Sequence, residues 1–212
     1  MANQTIVSQK APAVAGFNKF RKAAGFQLTG FIVGLLAKTS VTPNAVSWFG
    51  LLLTVGAAAL IASGQLFLGG FAVIISGFFD MLDGALARRT ERVTKFGAIL
   101  DSTLDRFSEA ALLLALLPVY ANQGSLLGIW AVGLALLGSY LVSYIRARAE
   151  GMGIDCEVGV FTRPERVIAL ALGLLLSRIN IDFLTAALVI IAVFGFISAG
   201  QRLYHAWRET QK

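Results

Sequence analysis

Long apolar stretches separated by short polar segments make up most of the chain from residue 44 onward. A helix needs about 20 predominantly apolar residues to cross the hydrocarbon core of a bilayer. Thr42-Pro43-Asn44 is a helix-start signal, and polar segments such as Gly64-Gln65 and residues 90–95 mark turns. We therefore predict six membrane spans, at about 44–63, 66–89, 96–121, 126–149, 163–177 and 183–207.

A different pattern precedes the first span. In residues 17–38, the basic residues Lys19, Arg21 and Lys22 alternate with phenylalanines, and the apolar run that follows is too short to cross a bilayer. This pattern favours an amphipathic helix that lies on the membrane surface. The expected fold is an all-α integral membrane protein, with six transmembrane helices preceded by an interfacial helix, in a single domain over residues 1–212.

Composition and charge agree with a membrane location. Hydrophobic residues make up 57% of the chain and charged residues 14%, against about 45–50% and about 25% in soluble domains. Apart from Arg106 and Arg178, every Lys and Arg lies at one side of the six-span arrangement or at the helix ends bordering it. Because such an excess marks the cytoplasmic side, both termini are expected in the cytoplasm. This asymmetry accounts for the net charge of +6 without a nucleic-acid partner.

Four aspartates lie inside the second and third spans: Asp80, Asp83, Asp101 and Asp105. Spacings of three and four residues place each pair on one helical face. In an antiparallel hairpin that turns near residue 92, Asp83 and Asp101 have equal depth, and so, nearly, have Asp80 and Asp105. Charged groups at such depth usually face a cavity or one another, so one acidic cluster near the cytoplasm is expected.

The chemistry of such a cluster is restricted. Four facing carboxylates must be partly protonated or neutralised by cations. With no Cys or His nearby, hard oxygen donors suit Mg²⁺, Mn²⁺ or Ca²⁺ rather than zinc, and a two-metal site is typical of phosphoryl chemistry. The alternative is that the aspartates are structural and paired with Arg88, Arg106 or backbone groups. For Arg106, Glu109 at i+3 is the expected partner.

The spacing of these residues resembles a family signature. Asp80-x-x-Asp83-Gly84-x-x-Ala87-Arg88 followed by Gly97-x-x-x-Asp101-x-x-x-Asp105 is similar to the full motif of the CDP-alcohol phosphotransferases. Members of that family transfer a substituted phosphate from a CDP-linked donor to an alcohol, release CMP, and are typically homodimers.

The resemblance implies roles for individual residues. Asp80, Asp83 and Asp101 would bind two metal ions, Mg²⁺ with Mn²⁺ as the alternative, and Asp105 would be the general base and a further metal contact. The residues implied in binding the CDP donor are Gly84, Arg88, Thr94, and Asn44, Ala45, Val46 and Ser47 at the start of the first span.

Arginines near the same membrane face indicate the acceptor. Guanidinium groups bind phosphate oxygens in pairs, so a basic site mouth predicts an acceptor that carries its own phosphate; positive-inside topology or lipid head groups are the alternative. The segments SYIRARAE, RPER and QRL resemble the phosphatidylinositol phosphate synthase branch, which joins CDP-diacylglycerol to inositol phosphate. That likeness implies Arg146, Arg166 and Arg202 as ligands of the acceptor phosphate.

Three other interpretations remain open. Glycerol 3-phosphate also carries a phosphate and is an alternative acceptor. In a second variant of the same chemistry, the CDP-linked donor would carry an ether lipid instead of diacylglycerol. A transporter for divalent cations or protons would also use intramembrane carboxylates, although transport sites usually lie near the midplane on discontinuous helices.

Overall fold

The computed structural model describes residues 30 and 32–211. Among these residues all regular structure is helical, which confirms the all-α class. Residues 32–36 are helical, but most of the predicted interfacial helix at 17–38 lies outside the described part of the chain. The following helices are α1 (Pro43–Ala62), α2 (Leu66–Arg89), α3 (Lys95–Leu114), α4 (Leu117–Asn122), α5 (Leu126–Glu150), α6 (Arg163–Leu176) and α7 (Asp182–Glu209).

Four of these helices are long and apolar enough to cross a membrane: α1, α2, α5 and α7. Large apolar side chains cover their outer surfaces, with Leu52 66% and Leu126 71% exposed. Lipid is the solvent that such surfaces require, so the chain is a membrane protein. Two predicted spans do not correspond to long apolar helices: α3 carries five charged residues, and α6 has only 14 residues.

The predicted third span, 96–121, is divided in the structure. Helix α3 ends at Leu114, and the short helix α4 begins at Leu117 with Pro118 in its first turn. Proline has no N–H to donate, and its ring clashes with the carbonyl four residues earlier. Pro118 therefore starts a new helix rather than extending α3.

The packing of the helices differs from a simple hairpin of α2 and α3. In the described region α1 packs along both α2 and α3, α2 packs along α6, and α7 packs along α5 and α6, whereas α2 and α3 are not one of the closely packed pairs. The helix carrying Asp80 and the helix carrying Asp105 therefore share α1 as a neighbour and do not pack closely against each other. Space for a ligand remains between their polar faces.

The apolar core lies away from this polar end. Buried residues from most of the helices meet there, including Ile61, Leu113, Leu174 and Leu188. The buried Tyr120 ring reaches α7, and its hydroxyl lies 3.0 Å from Thr185 Oγ1. A second, smaller core joins Val33 to α1 and α2 beside the polar end. The two cores fix the helices that position the acidic side chains.

Candidate active site

The aspartates on α2 are held in different ways. Asp83 is 5% exposed, and its Oδ2 accepts a hydrogen bond of 2.6 Å from Ser47 Oγ of α1. Its Oδ1 lies 2.5 Å from the Gly84 amide. One turn earlier, Asp80 Oδ2 lies 2.5 Å from Nη2 of Arg163, the first residue of α6. The two carboxylates are thus directed towards different neighbouring helices.

A single guanidinium joins the two helices that carry the aspartates. Besides its contact with Asp80, Arg163 places Nη1 2.6 Å from Asp105 Oδ1 on α3. Arg106 is a weaker partner, with Nη1 3.7 Å from Asp105 Oδ2. Because one planar group contacts both carboxylates, Asp80 and Asp105 lie close together, as the sequence predicts.

Asp101 lies between two pockets. Its side chain lines a pocket of about 290 Å³ together with Asp83 and a second pocket of about 830 Å³ together with Asp105. Within the described part of the chain, no hydrogen bond or ion pair is made to its carboxylate. The unpaired carboxylate at the boundary of two pockets is therefore available to a ligand in either of them.

The smaller pocket contains most of the residues that the family resemblance assigns to the CDP donor. Asn44, Ser47, Gly84, Arg88 and Thr94 line it, as do Arg92 and Gly97. Two assigned residues do not face the pocket. Ala45 is exposed, and the buried Val46 packs in the small core with Val33.

A side-chain cap shapes one wall of the smaller pocket. Thr94 precedes α3, and its hydroxyl accepts a hydrogen bond of 2.9 Å from the Gly97 amide. A Cβ at Gly97 would lie 2.9 Å from that hydroxyl and 3.4 Å from Asn44 Oδ1. The glycine allows α1 and the start of α3 to approach closely at the pocket.

The larger pocket combines acidic and basic side chains. Asp105 and Glu150 line it together with Arg106, Arg146 and Arg163. Arg146 Nε donates to Glu150 Oε1 at 2.7 Å, and its Nη2 lies 3.5 Å from Glu157 Oε1. The arginines that line this pocket can bind an anion near Asp105.

The other two arginines implied as acceptor ligands are buried behind this pocket. Arg166 is 3% exposed and donates two hydrogen bonds to Glu109. Arg202 is 4% exposed and donates to the carbonyls of Val158 and Val142 at 2.8 and 2.7 Å. Both guanidinium groups already have protein partners: Arg166 binds a buried carboxylate, and Arg202 binds one loop carbonyl and one carbonyl of α5.

The expected pair between Arg106 and Glu109 is wrong. Glu109 is bonded to Arg166 of α6, and Arg106 instead donates to the Ser102 carbonyl at 2.7 Å. The partner across the helix interface is preferred because it compensates the buried charge of Glu109.

Sequence reasoning missed two residues at the site. Arg163 lies in the RPER segment but has no role in the predicted site, and its position follows from the capping box of Thr162 and Glu165, which starts α6 there. Gly50 lies where a Cβ would be 2.9 Å from Asp80 Oδ1. A helical face of small or hydroxyl residues at positions 47, 50 and 54 of α1 was the available signal.

The carboxylates of the described residues are not arranged as a set of metal ligands. Among the described residues, no group of three His, Cys, Asp or Glu side chains is arranged to hold an ion, since Asp83 turns to Ser47 while Asp80 and Asp105 turn to Arg163. The set of donors nevertheless fits a hard divalent cation. Asp80 and Asp105 meet at one guanidinium, their two negative charges exceed its single positive charge, and Asp101 has no hydrogen bond or ion pair within the described residues.

Comparison with known proteins agrees with this geometry. Residues 40–198 match the family model described as CDP-alcohol phosphatidyltransferase. The chain therefore belongs to the CDP-alcohol phosphatidyltransferase family, an enzyme family. The matched range contains all four aspartates and both pockets.

Named relatives are similar over nearly their whole length. The archaetidylinositol phosphate synthase of Methanothermobacter thermautotrophicus is 36% identical over 192 residues, which cover 90% of this chain and 94% of the relative. The phosphatidylinositol phosphate synthase of Mycobacteroides abscessus is 35% identical over 182 residues, covering 84% and 83%.

Solved structures show the same fold. The crystal structure of Mycobacterium tuberculosis phosphatidylinositol phosphate synthase with CDP-DAG bound has a TM-score of 0.78 at 36% identity, covering 85% of this chain and 94% of that one. The structure of the same enzyme with manganese and citrate has a TM-score of 0.76 at 36% identity, covering 84% and 88%.

Proposed function

We propose that the protein transfers the phosphatidyl group of CDP-diacylglycerol to inositol phosphate, which yields phosphatidylinositol phosphate and CMP. The observation that carries this proposal is the meeting of two pockets at Asp101, with Asp105 on the wall of the larger one. A donor in one pocket and an acceptor in the other would meet beside the carboxylates. The relatives named above, whose names share an inositol phosphate product, support the acceptor.

The smaller pocket would hold the CDP part of the donor. Arg88 supplies a guanidinium for pyrophosphate oxygens, and the positive end of the α1 helix dipole favours an anion. Asn44, Ser47, Gly84 and Thr94 would complete the contacts, with Ala45 and Val46 contributing through the backbone of α1. The M. tuberculosis relative with CDP-DAG bound supports a donor site in this fold.

The larger pocket would hold the phosphorylated acceptor. Arg146 lines it and is the one implied acceptor ligand of the described chain that does so. Arg163 lines the same pocket and adds a second guanidinium. For Arg166 and Arg202 we propose a positioning role, because each ties α6 or the loop after α5 to its neighbours.

The reaction would be a displacement at phosphorus. The acceptor hydroxyl oxygen bonds to the lipid-bearing phosphorus of the donor, while the bond from that phosphorus to the CMP oxygen breaks. Asp105 would accept the hydroxyl proton as general base, and Arg88 would stabilise the charge on departing CMP.

A divalent cation would be held by the same carboxylates. Asp80, Asp83, Asp101 and Asp105 would bind two Mg²⁺ ions, or Mn²⁺, and the ions would supply charge neutralisation of the pyrophosphate. The relative solved with manganese supports this cofactor. Ser47 and Arg163 would release their carboxylates when the ions are bound.

A second version of the donor is an ether lipid. The name of the M. thermautotrophicus relative contains archaetidyl where that of the mycobacterial relative contains phosphatidyl, at nearly equal identity to this chain. Transport of cations is not favoured by the geometry, because α2 and α3 are continuous through their aspartates.

The membrane arrangement is also part of the proposal. Helices α3 with α4, and α6, would complete six spans with the four apolar helices. The clustering of Lys and Arg at the end that carries the site supports a cytoplasmic active site and cytoplasmic termini in the cell membrane. As in the family that the sequence resembles, a homodimer is expected.

A panel of acceptors tests the proposed reaction. Purified protein with Mg²⁺ and CDP-diacylglycerol is incubated with inositol phosphate, inositol or glycerol 3-phosphate, and CMP release is measured. We expect CMP release with inositol phosphate and no release with inositol or glycerol 3-phosphate. Equal release with glycerol 3-phosphate would overturn the acceptor assignment, and no release with any acceptor would overturn the transferase proposal.

A further inference from the structure

Arg163 contacts the two carboxylates that the proposed function assigns to metal ions. Its Nη2 and Nη1 lie 2.5 and 2.6 Å from Asp80 and Asp105, which come from different helices. One guanidinium therefore satisfies a carboxylate oxygen of each aspartate, which is the coordination that a bridging cation would supply. A cation and Arg163 cannot both occupy this position.

The surroundings of Arg163 provide a second place for its head group. The residue lies at the first position of α6, and its side chain lines the pocket of about 830 Å³ that also contains Arg146. Rotation about side-chain bonds would move the guanidinium into that pocket without a backbone change. The Thr162 and Glu165 capping box holds the start of the helix in place meanwhile.

In its position between Asp80 and Asp105, Arg163 has one hydrogen-bond donor without a partner among the described residues. Its Nε is buried and has no hydrogen-bond partner within the described residues. A buried polar group without a partner is unfavourable and calls for an explanation. A guanidinium that serves two sites in turn explains why its fit in one of them is incomplete.

We propose that Arg163 is an internal counter-cation: it neutralises Asp80 and Asp105 in the metal-free protein, is displaced when divalent cations bind, and then turns to the anion in the larger pocket. The inference rests on the metal site of the proposed function. It predicts competition between Arg163 and the metal. It also predicts cooperation between the metal and an anion, because each of them favours the displaced position of Arg163.

Manganese binding to the full-length, chelator-treated protein tests the competition, with free Mn²⁺ followed by electron paramagnetic resonance. Arg163→Gln should bind Mn²⁺ at least about tenfold more tightly than the unsubstituted protein, because two charge-assisted bonds no longer oppose the ion. Arg106→Gln removes a charge 3.7 Å from Asp105 and should change the affinity by less than about threefold. Arg148→Gln, exposed on α5, controls for net charge.

Sulfate tests the cooperation. In the unsubstituted protein, Mn²⁺ should bind more tightly in sulfate than in chloride at equal ionic strength, and this difference should disappear in Arg163→Gln. Arg163→Lys keeps the charge but not the two-pronged geometry, so its Mn²⁺ affinity should lie between the two. This variant also keeps the test decisive if Arg163→Gln does not fold.

The outcomes separate the two proposals, with Asp101→Asn as the reference for site-specific binding. If Mn²⁺ binding is lost in Asp101→Asn but the Arg163 variants bind like the unsubstituted protein, the counter-cation inference is overturned and the metal site stands. Weaker binding in both Arg163 variants would also overturn it. If Mn²⁺ binding does not depend on Asp101, the metal site and the inference both fail.

Discussion

Arg166 of α6 and Glu109 of α3 form a buried, two-pronged ion pair, with Nε 2.6 Å from Oε1 and Nη2 3.0 Å from Oε2. The pair ties the helix that begins with Arg163 to the helix that carries Asp101 and Asp105. Its guanidinium faces Glu109 rather than either pocket entrance. This ion pair gives Arg166 a structural role, because it holds two helices of the site in position.

Breaking this pair should destabilise the protein. Arg166→Gln leaves Glu109 as an uncompensated buried charge, and removing one partner of such a pair costs about 3–5 kcal/mol. We expect a clear loss of thermal stability in detergent, with part of it recovered when Glu109→Gln is added. An unchanged melting temperature together with a raised KM for the acceptor would instead identify Arg166 as a ligand of the substrate.

Arg146 should behave in the opposite way. Its side chain is half-exposed and lines the larger pocket, so Arg146→Gln should raise the KM for inositol phosphate by about tenfold or more. The KM for CDP-diacylglycerol and the melting temperature should stay near their original values. Arg148→Gln, two residues along α5, is the matched control, and an equal effect of both substitutions would remove the acceptor role.

Gly50 should be essential for the position of Asp80. The Cβ of Gly50→Ala would lie 2.9 Å from Asp80 Oδ1, and a shift of that carboxylate should lower turnover by at least about tenfold, since misplacements near 1 Å cost that much or more. Gly56→Ala lies on the same helix with nothing within 4 Å of the added carbon. It should keep full activity, and an equal loss of activity in both variants would contradict a specific effect of Gly50 on Asp80.

Asp105 is the expected general base. Asp105→Asn keeps the shape but cannot take a proton, so kcat should fall by at least about 10²-fold while CDP-donor binding, measured by titration, persists. Asp155→Asn, in the exposed loop after α5, should leave kcat unchanged. Turnover within a few-fold of the original in Asp105→Asn would reassign the base.

Much of the site could be predicted because helical periodicity and turn position are local properties. Asp80 and Asp105 lie at nearly equal distances from the turn near residue 92, which predicts that they are close together. In the structure the guanidinium of Arg163 joins them. The residues lining the smaller pocket follow the signature in the same way, since they lie on the facing sides of consecutive helices.

The remaining features depend on which helices pack together, and that is not a local property. Arg163 and Arg166 are three residues apart and identical in type, yet one faces the aspartates and the other faces Glu109. Charge alone does not distinguish them; the rotation of α6 against α2 and α3 does. Likewise, the sequence predicts one span over 96–121, and only the structure shows that α3 ends before Pro118 and that α4 begins there.

The central claim is that carboxylates from α2 and α3 hold divalent cations between the two pockets. A crystal structure of the protein soaked with Mn²⁺ and CDP, with data collected at the manganese absorption edge, tests it most directly. The account predicts anomalous peaks within bonding distance of Asp80, Asp83, Asp101 and Asp105, with Arg163 turned away from them. Ordered CDP with no anomalous peak among these four side chains would contradict it.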